Sequence, residues 1–168
     1  MRPLLPRLAL LCSVLLVAGC SHYSLGTGQA VPFRTLEVEP VVNRTLLPQA
    51  PAVVTSRLRE AFARDGRAQL AEAPAEAVLT VTLSGYRREV AAVREGDTGL
   101  ARKFNVTLDA LCTLRLTGTG KVVFENRLIQ ATREVFTDGG QLQAEYQVLP
   151  LLADALAAKV TRAALDVW

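Results

Sequence analysis

Three cysteines, Cys12, Cys20 and Cys112, and one histidine, His22, are the residues best suited to nucleophilic or metal chemistry near neutral pH. Their spacing does not assemble into a site. His22 stands two residues from Cys20 with no patterned segment to hold it, and one histidine with scattered thiols makes no zinc centre. Cys112 falls among alternating apolar residues, where a free thiol behaves as a small hydrophobe. The carboxylate pairs Glu37/Glu39 and Glu72/Glu76 read as solvated strand or loop faces. Gly118-Thr119-Gly120-Lys121 lacks the first glycine of a phosphate loop and is followed by Val122 rather than Ser or Thr, so it reads as a turn. No acid, base, nucleophile or metal set emerges, and the expectation is a protein that is not an enzyme and carries no cofactor. What stands out is cationic. Arg87, Arg88 and Arg94 leave one long apolar-alternating run, and Arg102 and Lys103 open the next, with Glu89, Glu95 and Asp97 as partial offsets. Arginine donates two hydrogen bonds from a planar fork, so a protruding hairpin of this kind suits anionic lipid or a partner surface.

Cys20 draws its meaning from the residues before it. Arg2 and Arg7 precede the apolar stretch Leu8–Leu16, which is too short to span a bilayer and has the form of an export signal. Leu16-Val17-Ala18-Gly19-Cys20 resembles a bacterial lipobox, in which cleavage leaves the cysteine as first residue and its sulfur takes a diacylglyceryl group. Ser21, rather than Asp, favours the outer membrane by resemblance to enterobacterial sorting. Each buried methylene contributes roughly 0.8 kcal/mol, and more than one acyl chain makes anchoring stable. The expected organisation is a signal peptide over 1–19, a lipidated tether over 20–34, and one folded domain over 35–168. Loss of Cys12 and acylation of Cys20 would leave Cys112 alone, with no intramolecular disulfide. The formal charge of +3 includes Arg2 and Arg7, so the mature chain is close to neutral and nucleic acid is not an expected partner.

The elements that would position these groups follow from hydrophobic period. Thr35–Val42 alternates as a half-buried strand, with Pro40 marking an edge or a late bend, and Asn43-Arg44-Thr45 turns the chain. Val54, Leu58, Ala61 and Phe62 form one stripe of a helix over Pro51–Asp65, with Pro51 in its first turn and Gly66 at its end. Ala77–Val90 is a strand with a bulge at Gly85. Lys103–Leu116 and Val122–Thr132 follow, making an antiparallel meander with the first. Residues 144–167 carry a second apolar helical stripe, and Pro150 either begins that helix or kinks it. The order is β-α-β-β-β-α. The expected fold is α+β, with two amphipathic helices on one face of a four-stranded mixed sheet.

Several stretches, in order, carry a family resemblance: Leu36–Thr45, Arg64–Arg67, Ala75–Leu79, Gly85–Glu89 and Gly120–Asn126. With the lipobox, they resemble the LptE family of outer-membrane lipoproteins in lipopolysaccharide assembly, over about residues 20–165. The resemblance implies the same β-α-β-β-β-α sandwich. It further implies a plug inside the large barrel protein LptD, lipopolysaccharide as ligand, and a lipid-anchored position at the periplasmic face of the outer membrane. Arg87, Arg88, Arg94, Arg102 and Lys103 are not carried over from the family; they are read from charge and placement. The CsgG and LpoB lipoproteins, of secretion and of cell-wall regulation, offer an alternative resemblance through their strand, Asn-Arg-Thr-like turn and helix. More helix intervenes there before the next strand, whereas only Arg67–Glu76 does so here.

Overall fold

A computed structural model describes residues 31–92, 103–136 and 141–166. The chain enters through Phe33, whose ring is buried, and Arg34, whose backbone N–H donates to Glu76 Oε2 at 2.6 Å. Strand β1 (Thr35–Val38) lies parallel to the start of the long strand β4 (Ala77–Ala92), with Leu36 opposite Ala77. Pro40 cannot donate to a ladder, and pairing resumes beyond it as the two-residue strand β2 (Val42–Asn43), parallel to β4 at Thr82–Leu83. Asn43 then turns the chain as its sequence suggests. Its Oδ1 accepts from Thr45 N at 2.9 Å and Thr45 Oγ1 at 2.7 Å, and its Nδ2 donates to Leu47 O at 2.9 Å.

Helix α1 (Ala50–Asp65) buries Ala50, Val54, Leu58 and Phe62, and places Pro51 where a missing N–H costs nothing. Gly66 ends it in the left-handed region (φ 74°), its N–H returning to Phe62 O. Strand β3 (Gln69–Leu70) adds parallel to the outer side of β1. The long strands β4 (Ala77–Ala92), β5 (Lys103–Leu116) and β6 (Val122–Phe136) form the antiparallel meander. The β4–β5 register slips between Leu83 and Gly85, which is the bulge expected at Gly85. Thr117–Gly120 turns β5 into β6, with Gly120 at φ 66°.

Helix α2 runs unbroken over Gln141–Leu165 with Pro150 inside it, so the proline neither begins the helix nor ends it. Apolar burial by Val148, Leu149, Leu152, Ala153 and Leu156 on either side of Pro150 outweighs the lost backbone bond. Both helices pack on the sheet face that carries Val106, Leu108, Ala110, Cys112 and Leu114 of β5. The α+β class and the two helices on one face agree with expectation, and the expected β-α-β-β-β-α order holds for the two helices and the four longer strands. The sheet differs: among the described residues it has six strands, in the order β3-β1-β4-β5-β6 with β2 pairing β4, rather than four. The two extra strands are two residues long each, below the length at which alternation is readable.

Candidate functional site

The predicted basic hairpin is the end of β4, the start of β5 and the chain between them. Arg94 and Arg102 lie outside the described residues, as does Cys20. Arg87, Arg88 and Lys103 are described, and strand alternation separates the first two. Arg87 lies opposite Thr107, on the face without helices, and Arg88 lies opposite Val106, on the helix side. The Arg88 guanidinium stacks over the Phe104 ring, 5.2 Å from its centroid. Lys103 pairs with Glu134 Oε1 at 2.8 Å and lies 5.7 Å from the centre of the Phe136 ring. The cations therefore sit close in sequence but present themselves on two sides of the sheet end.

Arg87 also closes a buried polar cluster that the sequence concealed. Asp109 occupies a position of β5 that faces away from the helices, yet it is only 5 % exposed. Its carboxylate accepts from both Nη atoms of Arg87 and from Gln130 Nε2 at 2.8 Å, tying β4, β5 and β6 together. Gly85 lies opposite it and makes the room: a Cβ there would stand 2.7 Å from Asp109 Oδ2. Two ordinary signals, a glycine in a strand and an aspartate in a Thr-rich row, acquire meaning only once the register sets them side by side. Around the cluster the helix-free face is largely polar, with Thr80, Thr82, Thr113 and the hydrogen-bonded pair Thr107 and Thr132 (Oγ1 to Oγ1, 2.9 Å). Its apolar interruptions are the row Val42, Leu111 and Leu128 across β2, β5 and β6, and Phe136, the most exposed of them at 61 %, at the hairpin end.

Among the described residues the remaining thiol lies in the core. Cys112 is buried beneath the helices, and burial pushes its thiol up to about 12, against a weak opposing pull from Arg127. A thiol held protonated is a poor nucleophile. Among the described residues no three His, Cys, Asp or Glu side chains are grouped to hold a metal ion, and no helix is long and apolar enough to cross a membrane.

Comparison with known proteins agrees with this geometry. The family model of LptE, described as lipopolysaccharide-assembly, matches residues 33–164. No curated protein matches the chain in sequence. Among solved structures, the minor lipoprotein of Acinetobacter baumannii is 18% identical with TM-score 0.52, the match covering 77% of this chain and 91% of that one. Lipoprotein B of Nitrosomonas europaea is 16% identical with TM-score 0.52, over 84% and 86% of the two chains. Protein XCC0632 of Xanthomonas campestris is 12% identical with TM-score 0.57, over 80% and 85%. At these identities the structures share the fold with this chain and nothing finer. The match over residues 33–164, nearly the whole folded unit, shows that the chain belongs to the LptE lipopolysaccharide-assembly family.

Proposed function

We propose that this chain is an outer-membrane lipoprotein, acylated at Cys20 and held at the periplasmic face. There it acts as plug and assembly subunit of an LptD-like β-barrel and binds lipopolysaccharide through its basic hairpin. Family membership supports the process, and the asymmetry of the sheet supports the plug. One face is closed by two helices, while the other is a Thr-rich surface centred on Arg87, Asp109 and Gln130. The interior of a large membrane barrel is polar. A half-polar, hydrogen-bonding sheet face fits such a wall better than it fits an apolar partner. The hairpin beyond β4 and β5 supplies arginine and lysine for phosphate groups of the lipid.

The chain from Gly66 to Glu76 holds only the short β3 and no further helix, which favours this reading over the CsgG or LpoB kind of lipoprotein. Affinity purification from detergent-solubilised envelopes tests it directly. A co-purifying barrel of LptD size is expected. A ring of secretion subunits or a cell-wall synthase in its place would sink the plug. For the hairpin, Arg88, Arg94, Arg102 and Lys103 are changed together to Ser, leaving Arg87 to hold Asp109. Lipopolysaccharide binding is expected to weaken severalfold, and unchanged lipid binding together with unchanged barrel capture would remove the hairpin from both roles.

A further inference from the structure

A second basic group lies far from the hairpin, where the edge strand meets the last helix. Arg127 of β6 and Lys159 and Arg162 of α2 line one open cleft of about 360 Å³, together with Ala163 and Asp166. Arg127 lies opposite Cys112, hence on the helix side of the sheet, which is why it meets α2. None of the three cations is within ion-pair distance of a carboxylate among the described residues. Arg127 stacks over the Phe124 ring at 5.6 Å, Lys159 donates one N–H to Gln130 O at 2.7 Å, and Arg162 donates from Nε to Ala158 O at 3.3 Å. These contacts orient the side chains and leave donors over: two on the ammonium and the terminal nitrogens of both guanidinium groups. The cleft's one carboxylate, Asp166, is already engaged by Arg67 Nη1 at 2.8 Å. A helix C-terminus favours a cation in its last turn, which accounts for Arg162 but not for Lys159 or for Arg127 on another element.

The position of the cleft suggests what it meets. The chain enters the fold at the end of the sheet where Leu36, Ala77 and Leu116 lie abreast, pinned by Arg34 and Thr35 to Glu76. Along β5, the residue facing Arg127 is about 13 Å from that end and about 30 Å from Lys103 at the hairpin end. An anchor attached ahead of Val31 would bring the entry end, and the cleft with it, toward the membrane surface.

We infer that Arg127, Lys159 and Arg162 bind the anionic phosphodiester headgroup of a glycerophospholipid in the leaflet to which the chain is attached. Membrane proximity rests on the anchored reading of Cys20; the cation geometry does not. Cations next to a lipid anchor act as the second attachment signal that sets orientation at the surface. Since the three side chains are exposed, the interaction weakens with ionic strength.

The test is calorimetric titration of the full chain in a non-ionic detergent with dihexanoyl phosphatidylglycerol, dihexanoyl phosphatidylcholine and inorganic phosphate. Saturable binding of the phosphatidylglycerol is expected, about tenfold or more tighter than either of the others and reduced by salt. The variant R127Q/K159Q/R162Q is expected to lose about tenfold or more, while R127K/K159R/R162K, which keeps every charge, stays near wild type. Arg88→Ser with Arg94→Ser and Arg102→Ser, at the other end, leaves binding intact. The inference is overturned if the Gln variant binds like wild type while still folded by circular dichroism. It is equally overturned if inorganic phosphate binds as tightly as the lipid, or if the hairpin variant abolishes binding. Acylation is read separately, from the mass of the N-terminal peptide, so loss of the anchor and loss of the cleft are distinguishable.

Discussion

At the scale of single residues, Asp109 and Gly85 act as one unit. A methyl at position 85 would enter the space of a carboxylate that Arg87 and Gln130 hold in place, so the clash is not relieved by a swing of the side chain. Gly85→Ala is expected to destabilise by about 1–3 kcal/mol. The same change should cost markedly less in an Asp109→Ala background, because the offending oxygen is gone. Chemical unfolding of the four chains measures that coupling, and additive costs would argue against it. Cys112 sets a different expectation. Its folded thiol is raised from 9.0 to about 12 by burial. Above pH 9 the unfolded chain releases this proton and the folded chain keeps it. The stabilisation is therefore whole below pH 9 and is lost progressively as pH rises toward 12. Wild type should lose stability relative to Cys112→Ala across that window, and the folded thiol should resist aromatic disulfide reagents at pH 8 until the chain is unfolded.

At the scale of elements, Arg67 joins the ends of both helices. It bonds Asp65 Oδ1 at 2.7 Å at the end of α1, and Asp166 Oδ1 at 2.8 Å and the Leu165 carbonyl at 3.2 Å at the end of α2. The Arg67 hydrogen bond holds the Asp65 carboxyl below its ordinary value of 3.8 and raises the guanidinium in turn. A depressed carboxyl stabilises the fold above its ordinary titration range and loses that contribution as pH falls through the folded value. Arg67→Ala is expected to cost about 1 kcal/mol at neutral pH, since these groups are partly solvated. It should also flatten the loss of stability expected of wild type below pH 3.8, read from melts across acid pH. Pro150 tests the last helix. It sits inside the helix, where a proline supplies no N–H and its ring crowds the backbone of the preceding turn. Pro150→Ala is expected to raise stability by about 1–3 kcal/mol, and an unchanged melting temperature would mean that this turn already bears no strain.

At the scale of the whole molecule, charge is placed at both ends of a long three-stranded meander while the net charge stays small. The hairpin end carries the cations proposed for lipopolysaccharide and the barrel. The entry end carries the cleft proposed for the anchoring leaflet. A subunit bound at its two ends is held in a set orientation, as a plug requires. Neutralising one end should leave the other's binding unchanged, because about 30 Å of strand lies beyond the reach of screened charges. Titrating the hairpin and cleft variants in parallel, each against lipopolysaccharide and phosphatidylglycerol, checks that independence.

The sequence by itself determined the α+β class, the order of the two helices and the four longer strands, and the helix-facing residues of those elements, because periods of 2 and 3.6 are local and repeat many times. It determined the cap at Gly66, the Asn43 turn and the Gly85 bulge for the same reason: each is a property of a few adjacent residues. Tertiary structure alone decided the strands β2 and β3, whose two residues find partners only after α1 has docked. It decided that Asp109 is buried, since a neighbour's missing Cβ makes the room. It also set Arg87 and Arg88 on opposite faces and brought Arg127 beside Lys159 and Arg162. Register and helix packing join residues distant along the chain, and no pattern read along one segment contains them.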